Sequence, residues 1–244
     1  MSLSYIRSLL ITDPIIIVAT ILMGSVSLIA SLFDPKGEIQ HRISCVWSRM
    51  LLAVSGVRMR IEGLEKIDAN GIYVFVGNHR SLMDIPVLLA HIPLQFRFFA
   101  KKGLFLIPIM GTHLRRAGHL PVVKDDPRAS LRSMSDAARM IRERGLSVLL
   151  FPEGGRGTNH LQEFREGAAY VAIKAGVPVV PIALTGTREV LPMGSMQIMS
   201  GIVELRIGDP IPTANLTLKD RTAFTQLLRD KVAGLIGDSA SKPQ

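Results

Sequence analysis

The sequence has one cysteine, one tryptophan and too few acidic residues to balance its basic ones. Each shortage excludes something. The lone Cys45 cannot form a bridge within the chain, so no disulfide framework supports the fold, a reducing compartment is compatible with it, and Cys45 reads as a small apolar side chain. No CxxC or Cys/His zinc spacing occurs, and His41, His91, His113, His119 and His160 are scattered without paired-ligand spacing, so neither a metal site nor a bound cofactor is expected. Aromatic residues make up 5%, and none interleaves with a basic cluster as a stacking platform for bases would, which argues against nucleic acid. The 29 Lys and Arg against 20 Asp and Glu, a formal charge of +9, favour an anionic partner: lipid headgroups, a phosphorylated substrate or an acidic carrier protein.

Charge is missing altogether from residues 14–33, PIIIVATILMGSVSLIASLF. A helix of that length spans about 30 Å, the hydrocarbon thickness of a bilayer. The run exceeds the roughly 7–15 residues of a signal-peptide core, and no A-x-A site closes it, which favours a retained membrane segment over a cleaved leader. After the turn chemistry of FDPKGE at 33–38, Ile43, Val46, Trp47, Met50 and Val54 recur at helical spacing over 43–55, with Arg42 and Arg49 on another face. This amphipathic helix suits the headgroup level or the surface of a folded core. Residues 1–56 therefore read as a membrane-associated helix pair: a spanning helix followed by an interfacial one, or a hairpin dipping into one leaflet. The Lys- and Arg-rich remainder is expected on the cytoplasmic face of the cell membrane.

From Val57 the period becomes two: Val57, Met59 and Ile61 alternate with Arg58, Arg60 and Glu62, a half-buried strand. A domain over 57–244 follows, long enough to bury roughly 70% of its unfolded surface. Apolar runs at 72–76, 96–100, 119–123, 146–151, 177–184 and 202–207 predict further strands, and helical patterns occupy 129–144, 167–175 and 224–236. The expected fold class is α/β: a central mixed sheet flanked by helices, with ligand loops at strand ends.

Straight after the run ending at Val76 comes NHRSLMD, 78–84. On one regular helix, His79 and Asp84 would point about 140° apart. The pair must then lie in a strand-to-helix connection. Two starts compete: Ser81 through Asp84 fits a capping box but puts Pro86 inside the helix, whereas Asp84 as N-cap puts Pro86 in the tolerant first turn. Either can bring the carboxylate to one ring nitrogen, fixing the tautomer and leaving the other nitrogen free to take a proton.

NHRSLMD resembles the H-x-x-x-x-D block of the glycerolipid acyltransferase superfamily, whose best-known members are the 1-acyl-sn-glycerol-3-phosphate acyltransferases. Three further blocks follow in that family's order: AKKGLFLIPIMG at 100–111, FPEGGRG at 151–157 and VPVVPIAL at 177–184. The resemblance runs from about Val57 to Leu184, and the apolar N-terminal helix pair is also similar. It implies transfer of an acyl group from a thioester, acyl-ACP or acyl-CoA, to a lysophospholipid hydroxyl at an anionic membrane surface. An alcohol is a poor nucleophile near neutral pH, so His79 is expected as the general base and Asp84 as its orienting carboxylate. Ser81 is expected as a cap or support; it follows no G-x-S-x-G elbow that would make it an acylated nucleophile.

By the same resemblance Glu153, Gly154 and Arg156 bind the acceptor, with Arg156 on its phosphate, and Lys102 and Lys124 add positive charge; Pro108 and Gly111 shape the second block. The third block is no ATP-binding loop, since the Lys-Ser/Thr ending is missing. Four positions depart from the family pattern. Gly103 stands where Glu is usual, Lys124 where Arg is frequent, and Gly155 and Gly157 replace Thr and Ser, so an acceptor other than lysophosphatidate is compatible with the chain. Two other readings fit the same residues: an esterase or thioesterase using the pair with water, and a basic membrane-surface protein in which the pair is inert.

Overall fold

The structure, a computed structural model, describes residues 8–122, 126–156, 160–195 and 197–240, with the side chains of 238–240 left aside. A seven-stranded sheet forms its centre: β1 (Val57–Glu62), β2 (Val74–Gly77), β3 (Phe96–Lys101), β4 (Leu120–Val122), β5 (Ser147–Leu150), β6 (Val179–Thr185) and β7 (Gly201–Ile207). Their spatial order is β1-β7-β6-β2-β5-β3-β4. The run from β6 to β4 is parallel, β7 is antiparallel to β6, and β1 pairs parallel with β7. All seven expected strands are present and the sheet is mixed, as the sequence implies; Val123, at the end of the fourth apolar run, lies outside the described residues.

Helices cover both faces. On one lie α1 (Asp13–Ala30), α2 (Glu38–Ser55) and α3 (Asp84–His91); α4 (Met110–Arg116) is a short helix between β3 and β4; the other face carries α5 (Pro127–Arg144), α6 (Gly167–Ala175) and α7 (Arg221–Ala240). The pleat divides the core between them. Phe75 of β2 joins Leu51, Leu52, Val87 and Leu88 on the first face, while its neighbours Val74 and Val76 join Ala137, Ile141, Val171 and Leu228 on the second. β2 and β5 are buried along their whole length, as strands covered on both sides must be. β1, at the edge, keeps the period of two read in its sequence.

Helix α2 begins at Glu38, five residues before its apolar pattern becomes regular, because Asp34 caps it: the carboxylate accepts from the Ile39 amide at 2.6 Å and the Gln40 amide at 3.3 Å. Helix α5 starts at Pro127 for a similar reason, with Asp126 accepting from Arg128 and Ala129. Helix α4 had no signature in its sequence; its seven residues are held by surrounding contacts.

Where the α1–α2 turn meets the sheet, four cationic or imidazole groups are packed together. Arg97 of β3 is buried and donates to Gln95 Oε1 (3.1 Å), the Phe96 carbonyl (3.0 Å) and the Lys36 carbonyl (2.8 Å). Burial pulls its pKa down to about 10, against the opposing pull of Asp34 and Glu38. Burial, helped by Arg97, pushes His41 down to about 4. His113 and His119 are lowered by burial as well. Between pH 4 and 6.5 the unfolded chain therefore binds protons that the folded chain refuses, so stability rises with pH across that window and is lost on acidification. At about 1.4 kcal/mol per pKa unit, His41 alone puts about 3 kcal/mol at stake. Urea midpoints measured from pH 7.5 to pH 4.5 should fall, and His41→Phe, which retains the edge-on contact with Phe96 (5.1 Å between centroids) without a titrating group, should flatten the decline.

Candidate active site

The parallel strands β6, β2, β5 and β3 end along one edge of the sheet, and the loops that leave β2, β5 and β3 carry the expected site residues. Residue 78 begins the first loop. Asn78 is buried, and its side-chain amide pairs with β6 as a strand would, donating to the Leu184 carbonyl and accepting from the Leu184 amide, both at 2.8 Å. The chain is thus locked to the sheet at the point where it turns.

His79 follows. Its Nδ1 lies 2.7 Å from Asp84 Oδ2, and its ring stacks on Phe151 with centroids 4.2 Å apart and planes 11° from parallel. The carboxylate is an acceptor only, so the proton of the neutral ring sits on Nδ1 and Nε2 carries the lone pair. Asp84 is fully buried, and the same Oδ2 also accepts from the Arg80 amide (2.7 Å) and the Ser81 amide (2.9 Å). Neither start foreseen for the helix is the one adopted. Asp84 is the first residue of α3 and its carboxylate turns back onto the loop, because three donors gathered there outweigh one at the helix end. Pro86 does occupy the tolerant first turn. Ser81 is buried and engaged on both sides, its hydroxyl donating to the Leu191 carbonyl at 2.8 Å and receiving the Met83 amide at 3.2 Å.

Glu153, in the loop after β5, is turned inward. Its Oε1 accepts from the His79 amide at 2.7 Å and its Oε2 from the Gln162 amide at 3.0 Å. The carboxylate therefore ties the histidine loop to its neighbour, and both oxygens are taken by backbone. Gly154 adopts a left-handed φ of 72° with the Arg165 side chain against it; a Cβ there would stand 3.0 Å from Arg165 Nε. Arg156 is exposed in the same loop. Lys102 is exposed where β3 ends, two strand spacings, about 10 Å, from β2. Gly103 faces open space. Lys124 and Gly157 lie outside the described residues. The structure thus brings His79, Asp84 and Glu153 into contact, and sets Arg156 and Lys102 on the same edge without contact to them.

Asn78 and Phe151 open the first and third blocks, but nothing in those blocks signals their contacts, and Arg165 lies in no block; only the approach of separate strand ends brings each to its place. Among the described residues no group of three or more His, Cys, Asp or Glu could hold a metal ion.

A family model described as Acyltransferase matches residues 58–185, more than half of the chain. The chain belongs to the acyltransferase family. Among its curated relatives, a chloroplastic 1-acyl-sn-glycerol-3-phosphate acyltransferase of Arabidopsis thaliana is 37% identical over 184 residues, covering 74% of this chain and 51% of that protein. A chloroplastic counterpart of Brassica napus is 35% identical over 184 residues, 74% of this chain and 53% of the relative. This family member therefore spans about half the length of the curated relatives it matches. The crystal structure of the 1-acyl-sn-glycerophosphate (LPA) acyltransferase PlsC from Thermotoga maritima superposes with a TM-score of 0.81 over 98% of both chains at 24% identity, a likeness of fold.

Glu153→Gln tests the tie between loops. One oxygen becomes a donor that faces an amide donor, so a buried N–H loses its partner, a loss of about 1–3 kcal/mol. Chemical unfolding should register that loss as a lower urea midpoint, and amide exchange in the loop at 78–84 should quicken as its tie is loosened.

Proposed function

We propose that this protein transfers a fatty acyl group from an acyl thioester, acyl-ACP or acyl-CoA, to the free hydroxyl of 1-acyl-sn-glycerol-3-phosphate. The observation that carries the reading is the 2.7 Å contact between His79 Nδ1 and the buried Asp84 carboxylate at the end of β2. A ring held in this tautomer presents Nε2 as a base. As the lipid oxygen attacks the thioester carbonyl, Nε2 takes the hydroxyl proton, and Asp84 stabilises the charge that develops on the ring. The new carbon–oxygen ester bond forms as the carbon–sulfur bond breaks, and the departing thiolate recovers the proton from the imidazolium. No acyl-enzyme is needed, and Ser81, engaged with Leu191 and Met83, acts as a support.

Arg156 offers two parallel donors to the acceptor phosphate, and further positive charge is assigned to Lys102, on the same edge, and to Lys124. Glu153 is a positioning residue in this scheme. The names of the curated relatives support lysophosphatidate as the acceptor. The departures at Gly103, Lys124, Gly155 and Gly157 are also compatible with a different lysolipid headgroup.

The N-terminal helix pair, residues 1–56, is read as the membrane attachment, with the basic domain at 57–244 on the cytoplasmic face of the cell membrane. Ser8–Ala30 is the one helix among the described residues long and apolar enough to cross a bilayer. Both of its ends touch the rest of the protein: Ser8 Oγ is 3.2 Å from the Ile198 carbonyl, and Ser27 Oγ is 3.1 Å from His113 Nδ1. A helix crossing the membrane away from its domain would touch it at one end only, so this geometry supports a hairpin seated in one leaflet.

In a purified assay with labelled acyl thioesters and a panel of lysolipids, His79→Ala should lower acyl transfer by about 10²–10⁴-fold with the fold intact. Near-normal transfer by that variant would overturn the assignment. Arg156→Ala should raise KM for a phosphorylated acceptor with little change in turnover.

A further inference from the structure

The connection from Lys102 to Arg116 does more than join β3 to β4. Its apolar stretch LFLIPIM, 104–110, is bracketed by exposed Lys101 and Lys102 on one side and exposed Arg115 and Arg116 on the other. Phe105 packs inward with Ala100 and Leu114. The remaining large side chains face out: Leu104, Leu106, Ile107, Ile109 and Met110 are all exposed, Leu106 by 77% and Ile109 by 69%. The backbone is bent to hold them there. Ile109 has φ 67° and ψ −64°, and the Met110 amide donates to the Pro108 carbonyl at 2.7 Å, a γ-turn of the strained kind. It is the only non-glycine residue with positive φ among the described residues, and it is β-branched, the residue type least suited to that region.

Sequence and strain together thus expose an apolar tip, and the tip adjoins another apolar surface. His113, three residues past Met110, meets Ser27 of α1, and Arg116 Nη1 lies 3.3 Å from both the carbonyl and the hydroxyl of Ser31. At that end of α1, Val26, Ile29, Leu32 and Phe33 are exposed, Phe33 by 80%. The loop and the helix end are thus held together, both exposing apolar side chains and flanked in sequence by cations, a combination that a hydrocarbon boundary below anionic headgroups would match.

We propose that residues 104–110 are a second membrane-seated element, inserted beside α1 into the hydrocarbon boundary of an anionic bilayer. The proposal rests on the reading of α1 as the membrane attachment and deepens it. Seating the loop sets Lys102, two residues before it, at headgroup level, so the acceptor phosphate can meet the site while its acyl chain remains in the leaflet.

The full chain with Cys45→Ala, carrying a single environment-sensitive probe through Ile109→Cys, Ile21→Cys or Glu143→Cys, is mixed with vesicles of phosphatidylglycerol and phosphatidylcholine that contain spin-labelled acyl chains. The probes at 109 and 21 should shift to the blue and be quenched, and that at 143 on α5 should not. Quenching at 21 but not at 109 would overturn the proposal while leaving the α1 reading intact; quenching at 109 alone would refute the α1 reading and, with it, insertion of the loop beside α1. A blue shift at 109 that appears without vesicles and grows with protein concentration would mean that a second copy covers the loop, and would also overturn it. In the otherwise native chain, Leu106→Ser with Ile109→Gly keeps a residue that tolerates the turn, so thermal stability should hold or rise. Vesicle affinity should drop roughly tenfold or more. Transfer to bilayer-embedded lysolipid should fall in parallel, with transfer to detergent-dispersed lysolipid unchanged. Unaltered vesicle affinity in this variant would equally refute the proposal.

Discussion

One oxygen atom organises this protein's site. Asp84 Oδ2 accepts from the His79 ring, the Arg80 amide and the Ser81 amide, and it does so where no solvent reaches. A buried carboxylate is tolerable only when such donors surround it. Meeting that need bends residues 78–84 into the tight connection that aims the imidazole outward. The five-residue spacing of the pair is the length of chain needed to close this ring of contacts between the end of β2 and the start of α3.

The neighbouring loops brace that turn from outside. Asn78 clamps it to β6, Ser81 to the Leu191 carbonyl and Glu153 to the loop after β5, while Phe151 supplies a flat wall for the ring. Three strand ends thus converge on one histidine. The parallel order β6-β2-β5-β3 makes this possible, since parallel strands bring all their leaving loops to one edge. Arg156 and Lys102 sit on the same edge but stay exposed, apart from the braced turn that carries His79.

The far side of the sheet from α5, α6 and α7 carries the apolar hairpin, and the histidine and arginine cluster beneath it ties hairpin to domain. Asp34 serves both purposes: it caps α2 and lends negative charge near Arg97. Leu51 and Leu52 of α2 belong to the same core as Phe75 and Leu88, so the seating of the apolar hairpin and the packing of the domain are mechanically one thing.

Strand and helix positions were legible in the sequence because periodicity records which side of an element meets apolar neighbours, as the alternation over Val57–Glu62 and the stripe over 129–144 show. The His79 and Asp84 pair was legible because its spacing excludes a shared helix, so chemistry and local geometry pointed the same way. Glu153 was not: its identity as an acid is plain, but whether it faces ligand or protein depends on amides from residues 79 and 162, which are remote in the chain. Phe151, Asn78 and the exposed tip at Ile109 were hidden for the same reason, since stacking, strand clamping and a strained turn come into being only when separate segments meet. Residue order by itself determined most of the elements, the pairing of His79 with Asp84 and the apolar N-terminus, all set by neighbours within a few positions. Tertiary structure alone decided which carboxylate became a strut, which ring became a wall and that α1 lies along the domain, because those outcomes depend on contacts between segments brought together by burying a shared core.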